Sequence, residues 1–182
     1  ILIYLVVLGH LMSGYLKQNE YVDTLYLIIY LFHMPAFILI SGHFSRKIKG
    51  LKDVKKIAKT LLLPYVIFQL LYSLYYKSVF GDSVEIEFLE PRYALWFLLS
   101  MIMWKMMLWV FGNHKVMIVV SIIVALLVGY ISEVSEWLSL SRTFFFFPFF
   151  LIGYYVNREN FVKMKNKWNV RVASIVAIAL VL

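Results

Sequence analysis

Long apolar runs separated by short charged segments set the pattern of this chain. A membrane-spanning α-helix needs roughly 20 mostly apolar residues, and six runs come near that length: Ile1–Leu16, Thr24–Ser45, Thr60–Phe80, Tyr93–Phe111, Val116–Ser132 and Leu138–Val156. Val172–Leu182 begins a seventh. No internal repeat is visible, and Phe144–Phe150 is an aromatic block within the sixth run. The pattern predicts an all-α, polytopic transmembrane helix bundle in a single domain over residues 1–182. The chain starts at Ile1 within one apolar run and stops at Leu182 within another, so both terminal helices are expected to continue beyond it.

The charges between the runs alternate in sign. Arg46, Lys47, Lys49, Lys52, Lys55, Lys56 and Lys59 follow the second run against Asp53 alone; Lys115 follows the fourth; Arg158, Lys163, Lys165, Lys167 and Arg171 follow the sixth against Glu159. The intervening loops carry Glu20 and Asp23, then Asp82, Glu85, Glu87 and Glu90, then Glu133 and Glu136. Lys and Arg accumulate in cytoplasmic loops of membrane proteins. The N-terminus and loops 46–59, 112–115 and 157–171 are therefore expected in the cytoplasm of a multi-pass plasma-membrane protein. Trp96, Trp104, Trp109, Trp137 and many tyrosines near the helix ends read as an interfacial aromatic belt.

Composition agrees with this class. Hydrophobic residues make up 63% of the 182 and charged ones 15%, with a mean hydropathy of +0.82, outside the range of soluble domains. The net charge of +8 sits in loops, so it argues for membrane topology and against a nucleic-acid partner. The absence of cysteine excludes disulfides, zinc–thiolate sites and a Cys nucleophile within these residues. Nucleophile-elbow, HExxH and phosphate-binding glycine motifs are missing too, and no metal site is expected.

Polar groups inside apolar runs are the candidates for chemistry, because lipid admits them only where protein or a water-filled cavity receives them. His10 lies in the outer part of the first run, and His33 near the middle of the second. Since consecutive helices run antiparallel, the two histidines are expected at similar depth in the outer half of the bilayer. Arg142 lies one turn inside the outer end of the sixth run, and Ser41-Gly42-His43 closes the second. Histidine near neutrality suits general-base work on a hydroxyl, or transient acyl carriage. Arginine suits an anionic group or a developing oxyanion. Packing against a carbonyl is the alternative role for each histidine, snorkelling the alternative for Arg142, and anionic lipid headgroups the alternative ligand for the basic loop. Pro35, Pro64 and Pro148 fall inside helices and are expected to free backbone carbonyls. Gly9, Gly42, Gly129 and Gly153 are expected to permit close helix approach.

Read in order, LVVLGH at Leu5–His10, LFHMPAFILISG at Leu31–Gly42, KKIAKTLLLPY at Lys55–Tyr65, LWFL at Leu95–Leu98 and RTFFFFPFFLIGYY at Arg142–Tyr155 resemble the acyltransferase 3 family, the membrane sugar O-acetylases typified by fucose 4-O-acetylase. The resemblance spans nearly the whole chain. It implies a bundle of about ten helices of membrane-spanning length that moves an acyl group from cytoplasmic acyl-CoA to a hydroxyl of an extracytoplasmic glycan. Acetyl-CoA is then a donor substrate, and no bound cofactor is implied. His10 matches the essential histidine of the family's first helix. The partner cation of that motif, eleven positions earlier, would precede Ile1; eleven residues make about 16 Å of helix, which puts cation and histidine on one face. Lys56 and Lys59 stand at the spacing of a paired-basic motif that is Arg-rich in the family, and would contact the CoA donor. His33, Arg142 and Ser41 would line the substrate cavity. Two other classes fit the residues alone: a transporter or flippase for a glycan or lipid-linked precursor, and an accessory membrane subunit without chemistry.

Overall fold

The computed structural model describes residues 2–81, 90–111, 114–129 and 139–156. All regular structure among them is helical. The expected seventh helix, the basic segment 157–171 and the end of the fifth run lie outside the described residues. Helix α1 is Leu2–Met12, α2 is Glu20–His43, α3 is Leu51–Ile57, α4 is Leu63–Phe80, α5 is Trp96–Phe111, α6 is Val116–Gly129 and α7 is Leu140–Tyr155. Among the described residues two helices are long and apolar enough to cross a membrane, Glu20–His43 with 24 residues and Leu51–Val79 with 29. At 1.5 Å per residue they reach about 36 and 43 Å, against a hydrocarbon core of about 30 Å. Large apolar side chains point outward along the helices. On α6, Val116, Val119, Val120, Ile122, Ile123, Leu126 and Leu127 are all exposed. A continuous apolar exterior of this kind suits lipid and would be an aggregation surface in water.

The helix ends follow local chemistry. The side chain of Asn19 accepts from the Tyr21 amide at 2.9 Å, and Glu20 and Asp23 lie in the first turn of α2, where a carboxylate favours the helix dipole. Gly81, at φ 71°, closes α4 with its amide on the Lys77 carbonyl, the left-handed cap that glycine adopts without a Cβ penalty. The basic stretch expected as a loop at 46–59 becomes helical from Leu51 onward. Its helix passes through a π turn, Ala58–Leu62, just before Pro64, and the Leu63 amide reaches back to Ala58. Proline has no N–H and crowds the carbonyl four residues before it; widening that turn relieves the crowding, so the long helix continues instead of breaking.

The chain divides into two compact units, one formed by Ile1–Phe44 with Phe149–Leu182 and the other by Ser45–Pro148. In the first, α1 and α2 form a hairpin in which Gly9 lies beneath the Tyr30 ring; a Cβ on Gly9 would come within 2.8 Å of Tyr30 Cε2. The end of α2 meets the end of α7 backbone to backbone. A Cβ on Gly42 would strike the Phe150 carbonyl and sit 3.1 Å from the Tyr154 nitrogen, while one on Gly153 would strike the Leu39 carbonyl, 2.7 Å from its carbon. Beside this crossing, His43 Nδ1 donates to the Val156 carbonyl at 3.1 Å. The C-terminal ends of α2 and α7 therefore lie side by side, so both helices run the same way at this crossing.

In the second unit, Gln69 is completely buried and clamps the segment before α5. Its Nε2 donates to the Glu90 carbonyl at 2.9 Å and its Oε1 accepts from the Arg92 amide at 3.3 Å. Ser100 and Trp104 of α5 reach Thr143 in the first half of α7, and all three are fully buried. The Thr143 hydroxyl donates to the Ser139 carbonyl at 3.0 Å, so at 2.6 Å from Ser100 Oγ it must accept. The Trp104 indole N–H adds a bond to the Thr143 carbonyl at 2.8 Å. Three of the four glycines named above serve as expected. At Gly129, the last residue of α6, nothing among the described residues comes within 4 Å of a Cβ placed there.

Gly42→Ala and Gly153→Ala are each expected to lower stability by about 1–3 kcal/mol, the usual result of overpacking a close contact. Gly129→Ala should be neutral or slightly stabilising, since it removes only backbone freedom. Thermal unfolding of the detergent-purified variants, followed by size-exclusion chromatography, checks the contrast.

Candidate active site

Helix α1 carries His10 near its C-terminal end, where the residue is exposed and its carbonyl accepts from Ser13 Oγ at 2.6 Å. The imidazole makes no hydrogen bond or ring contact with any other described residue. His33 is the opposite case. It is 2% exposed, and its Nδ1 lies 2.6 Å from the Ile29 carbonyl one turn earlier in α2. A carbonyl only accepts, so Nδ1 carries the proton and, in the neutral ring, Nε2 is the remaining acceptor. Tyr30 packs edge-on against this ring at 4.7 Å and stacks on Tyr26 at 4.2 Å.

Tyr30 connects the two histidines indirectly. Its ring covers Gly9, the neighbour of His10, and touches His33. With Gly9 and Tyr30 at one level in an antiparallel hairpin, His10 lies one residue to one side and His33 three residues to the other. Their separation along the helix axes is then about 6 Å, roughly one turn. The rings do not contact each other. Ser41 Oγ donates to the Phe37 carbonyl at 2.9 Å, and Gly42 and His43 belong to the helix crossing already described.

The second unit holds the cationic candidates. Lys56, at the end of α3, and Lys59, in the π turn, are both exposed. Arg142, in the first turn of α7, is exposed with its guanidinium carbon 5.7 Å from the centre of the Trp96 ring, and Trp96 in turn stacks on Phe146 at 5.7 Å. Such cation–π contact orients the guanidinium while leaving its N–H groups free to bind an anion. Arg92 sits similarly over Tyr76, at 5.1 Å.

Three residues of consequence fall outside the polar set read from the sequence. Tyr30 gave no signal, because an aromatic residue in an apolar helix is ordinary. Gln69 and Lys105 stand in apolar runs and were readable there as polar exceptions. Among the described residues no cluster of His, Cys, Asp or Glu could hold a metal ion.

The acyltransferase 3 family model, described as an acyltransferase domain, matches residues 1–182. The chain belongs to that family, and with it to a class of acyltransferases that is generally membrane-associated. No curated protein and no solved structure matches the chain.

Two neighbours in α7 separate fold from chemistry. Thr143→Val leaves the buried Ser100 hydroxyl without its acceptor and should lower stability by about 1–3 kcal/mol. Arg142→Gln removes an exposed cation–π contact worth about 0.5–1 kcal/mol, so its unfolding temperature should stay close to wild type while acyl transfer falls. Parallel melting curves and activity assays on the two variants test this.

Proposed function

We propose that the protein transfers an acetyl group, or a related acyl group, from cytoplasmic acyl-CoA to a hydroxyl of an extracytoplasmic glycan at the plasma membrane. The observation that carries this reading is family membership over the whole of residues 1–182, joined to a histidine in the first helix whose ring is open to substrate. In this reading His10 takes the proton from the acceptor hydroxyl as the oxygen attacks the thioester carbonyl. The new C–O ester bond forms, the C–S bond breaks, and the CoA thiolate leaves and is protonated, so that acyl-CoA and alcohol become ester and free CoA. Carriage of the acyl group on the His10 ring is the two-step form of the same reaction, in which an acyl-imidazole is formed and then consumed by the hydroxyl.

Lys56 and Lys59 supply positive charge for the phosphates of the donor, as point charges without the bidentate geometry of arginine. Arg142, held over Trp96, suits an anionic group of the acceptor or the oxyanion of the tetrahedral intermediate. His33 supports the α1–α2 hairpin through Tyr30, with Nε2 left to bond a substrate hydroxyl, and Ser41 completes the polar set on α2. The same-side exit of the chain from α2 and α7 supports a common cytoplasmic side for the basic segments that follow each helix.

The test uses the full-length protein in membranes, with radiolabelled acetyl-CoA and surface glycan from the same cells. Wild type should transfer label to alkali-labile ester, and His10→Ala should lose about 10²-fold or more, the range of a general base, with unchanged insertion and melting temperature. Transfer retained in His10→Ala would remove that residue from the chemistry.

A further inference from the structure

Lys105 is the one charged residue of α5, whose other positions are apolar apart from Ser100. It stands half-buried in the middle of that helix. A cation inside an apolar helix has to meet protein, water or an anion, and no described residue forms an ion pair with it.

The Gln69 clamp sets its level. Because Gln69 bonds the backbone at Glu90 and Arg92, the antiparallel helices on either side can be counted from that point. Lys59 and Lys56 lie ten and thirteen residues back from Gln69, about 15 and 20 Å along the helix. Lys105 lies thirteen residues beyond Arg92, three of them in the tighter turn Tyr93–Leu95, which again makes about 20 Å. At this level the two helices still touch, since α5 packs against the π turn Ala58–Leu62. The π turn has a second consequence here. It is the place where Lys59 departs from regular α-helical spacing, and it adjoins the helix that bears Lys105.

We infer that Lys105 is a third cation of the donor site, holding a phosphate of acyl-CoA together with Lys56 and Lys59. The inference rests on the acyl-CoA reading above and assigns it a residue on a separate helix. CoA presents a diphosphate and a ribose phosphate, which call for several separated positive charges and not one. Lys105 is the least exposed of the three, so its attraction is the least screened by solvent and salt, and it contributes most per charge.

The experiment uses full-length protein in phosphatidylcholine nanodiscs, with coenzyme A binding measured by calorimetry. Lys105→Met keeps an unbranched side chain of similar length and is at home in lipid, so the variant should melt like wild type. Its coenzyme A affinity should fall about tenfold, the loss of one charge-assisted contact. Lys105→Arg should retain most of the affinity, and Lys56→Gln should lose less than Lys105→Met. Equal binding by wild type and Lys105→Met overturns the inference and leaves the donor reading standing. Failure of the wild type to bind coenzyme A overturns both. Nanodiscs containing phosphatidylglycerol, examined by native mass spectrometry, separate the other phosphate source. Loss of bound phosphatidylglycerol from Lys105→Met, with coenzyme A binding intact, assigns the ammonium to a lipid headgroup and also overturns the inference.

Discussion

The contact on which the first unit depends is the approach of two backbones, α2 and α7, at Gly42 and Gly153. Between helices in lipid, burying apolar surface brings little, because the tails are as apolar as the side chains they would replace. What remains is close van der Waals contact and the polar bonds that closeness permits. Both glycines are needed: each meets a carbonyl of the other helix, Phe150 in one direction and Leu39 in the other. At that separation His43 can reach the Val156 carbonyl, one of the groups a helix end leaves unpaired. The crossing thereby ties together the ends of the two helices that precede the basic segments.

Polar side chains in this bundle divide by how their hydrogen bonds are met. Ser41 and Ser73 bond a carbonyl one turn back in their own helices, and His33 does the same through Nδ1. Ser100, Trp104 and Thr143 instead join two helices, and Gln69 fastens a connection to the helix beside it. These groups are partnered, and their cost of burial is met by the fold. His10, Lys105 and the guanidinium of Arg142 differ, since no described hydrogen bond or ion pair takes up their polar atoms.

Much of the fold was legible because the governing constraint is one of length. An apolar run that is to sit in lipid must become a helix, since a helix satisfies its own backbone there, and the described helices other than α3 overlap the runs read from the sequence. The Pro64 position was legible as a disturbance but not in kind: the chain answers it with a π turn in one continuous helix. The basic stretch read as a loop is helical from Leu51, since charge pattern reports the side of a membrane and not the backbone conformation. The chemistry of the candidate site was legible as residue types. Its division into open His10 and bonded His33 was not, because both look alike as a histidine in an apolar run.

The sequence by itself determined that this is a helical protein of apolar runs with alternating loop charge, and its ordered motifs pointed to the acyltransferase 3 family. These are properties of composition and one-dimensional spacing, which survive without knowledge of what touches what. Tertiary structure alone decided that Gly42 and Gly153 serve one crossing, while no described residue approaches Gly129. It also decided that the Tyr30 ring touches His33 and covers Gly9, the neighbour of His10, and that α5, which bears Lys105, packs against the π turn that bears Lys59. Each of these depends on the register between helices. Register is fixed by a few close contacts far apart in the chain, here a glycine under a tyrosine, two glycines facing carbonyls and a buried glutamine on a neighbouring backbone, and no local pattern encodes them.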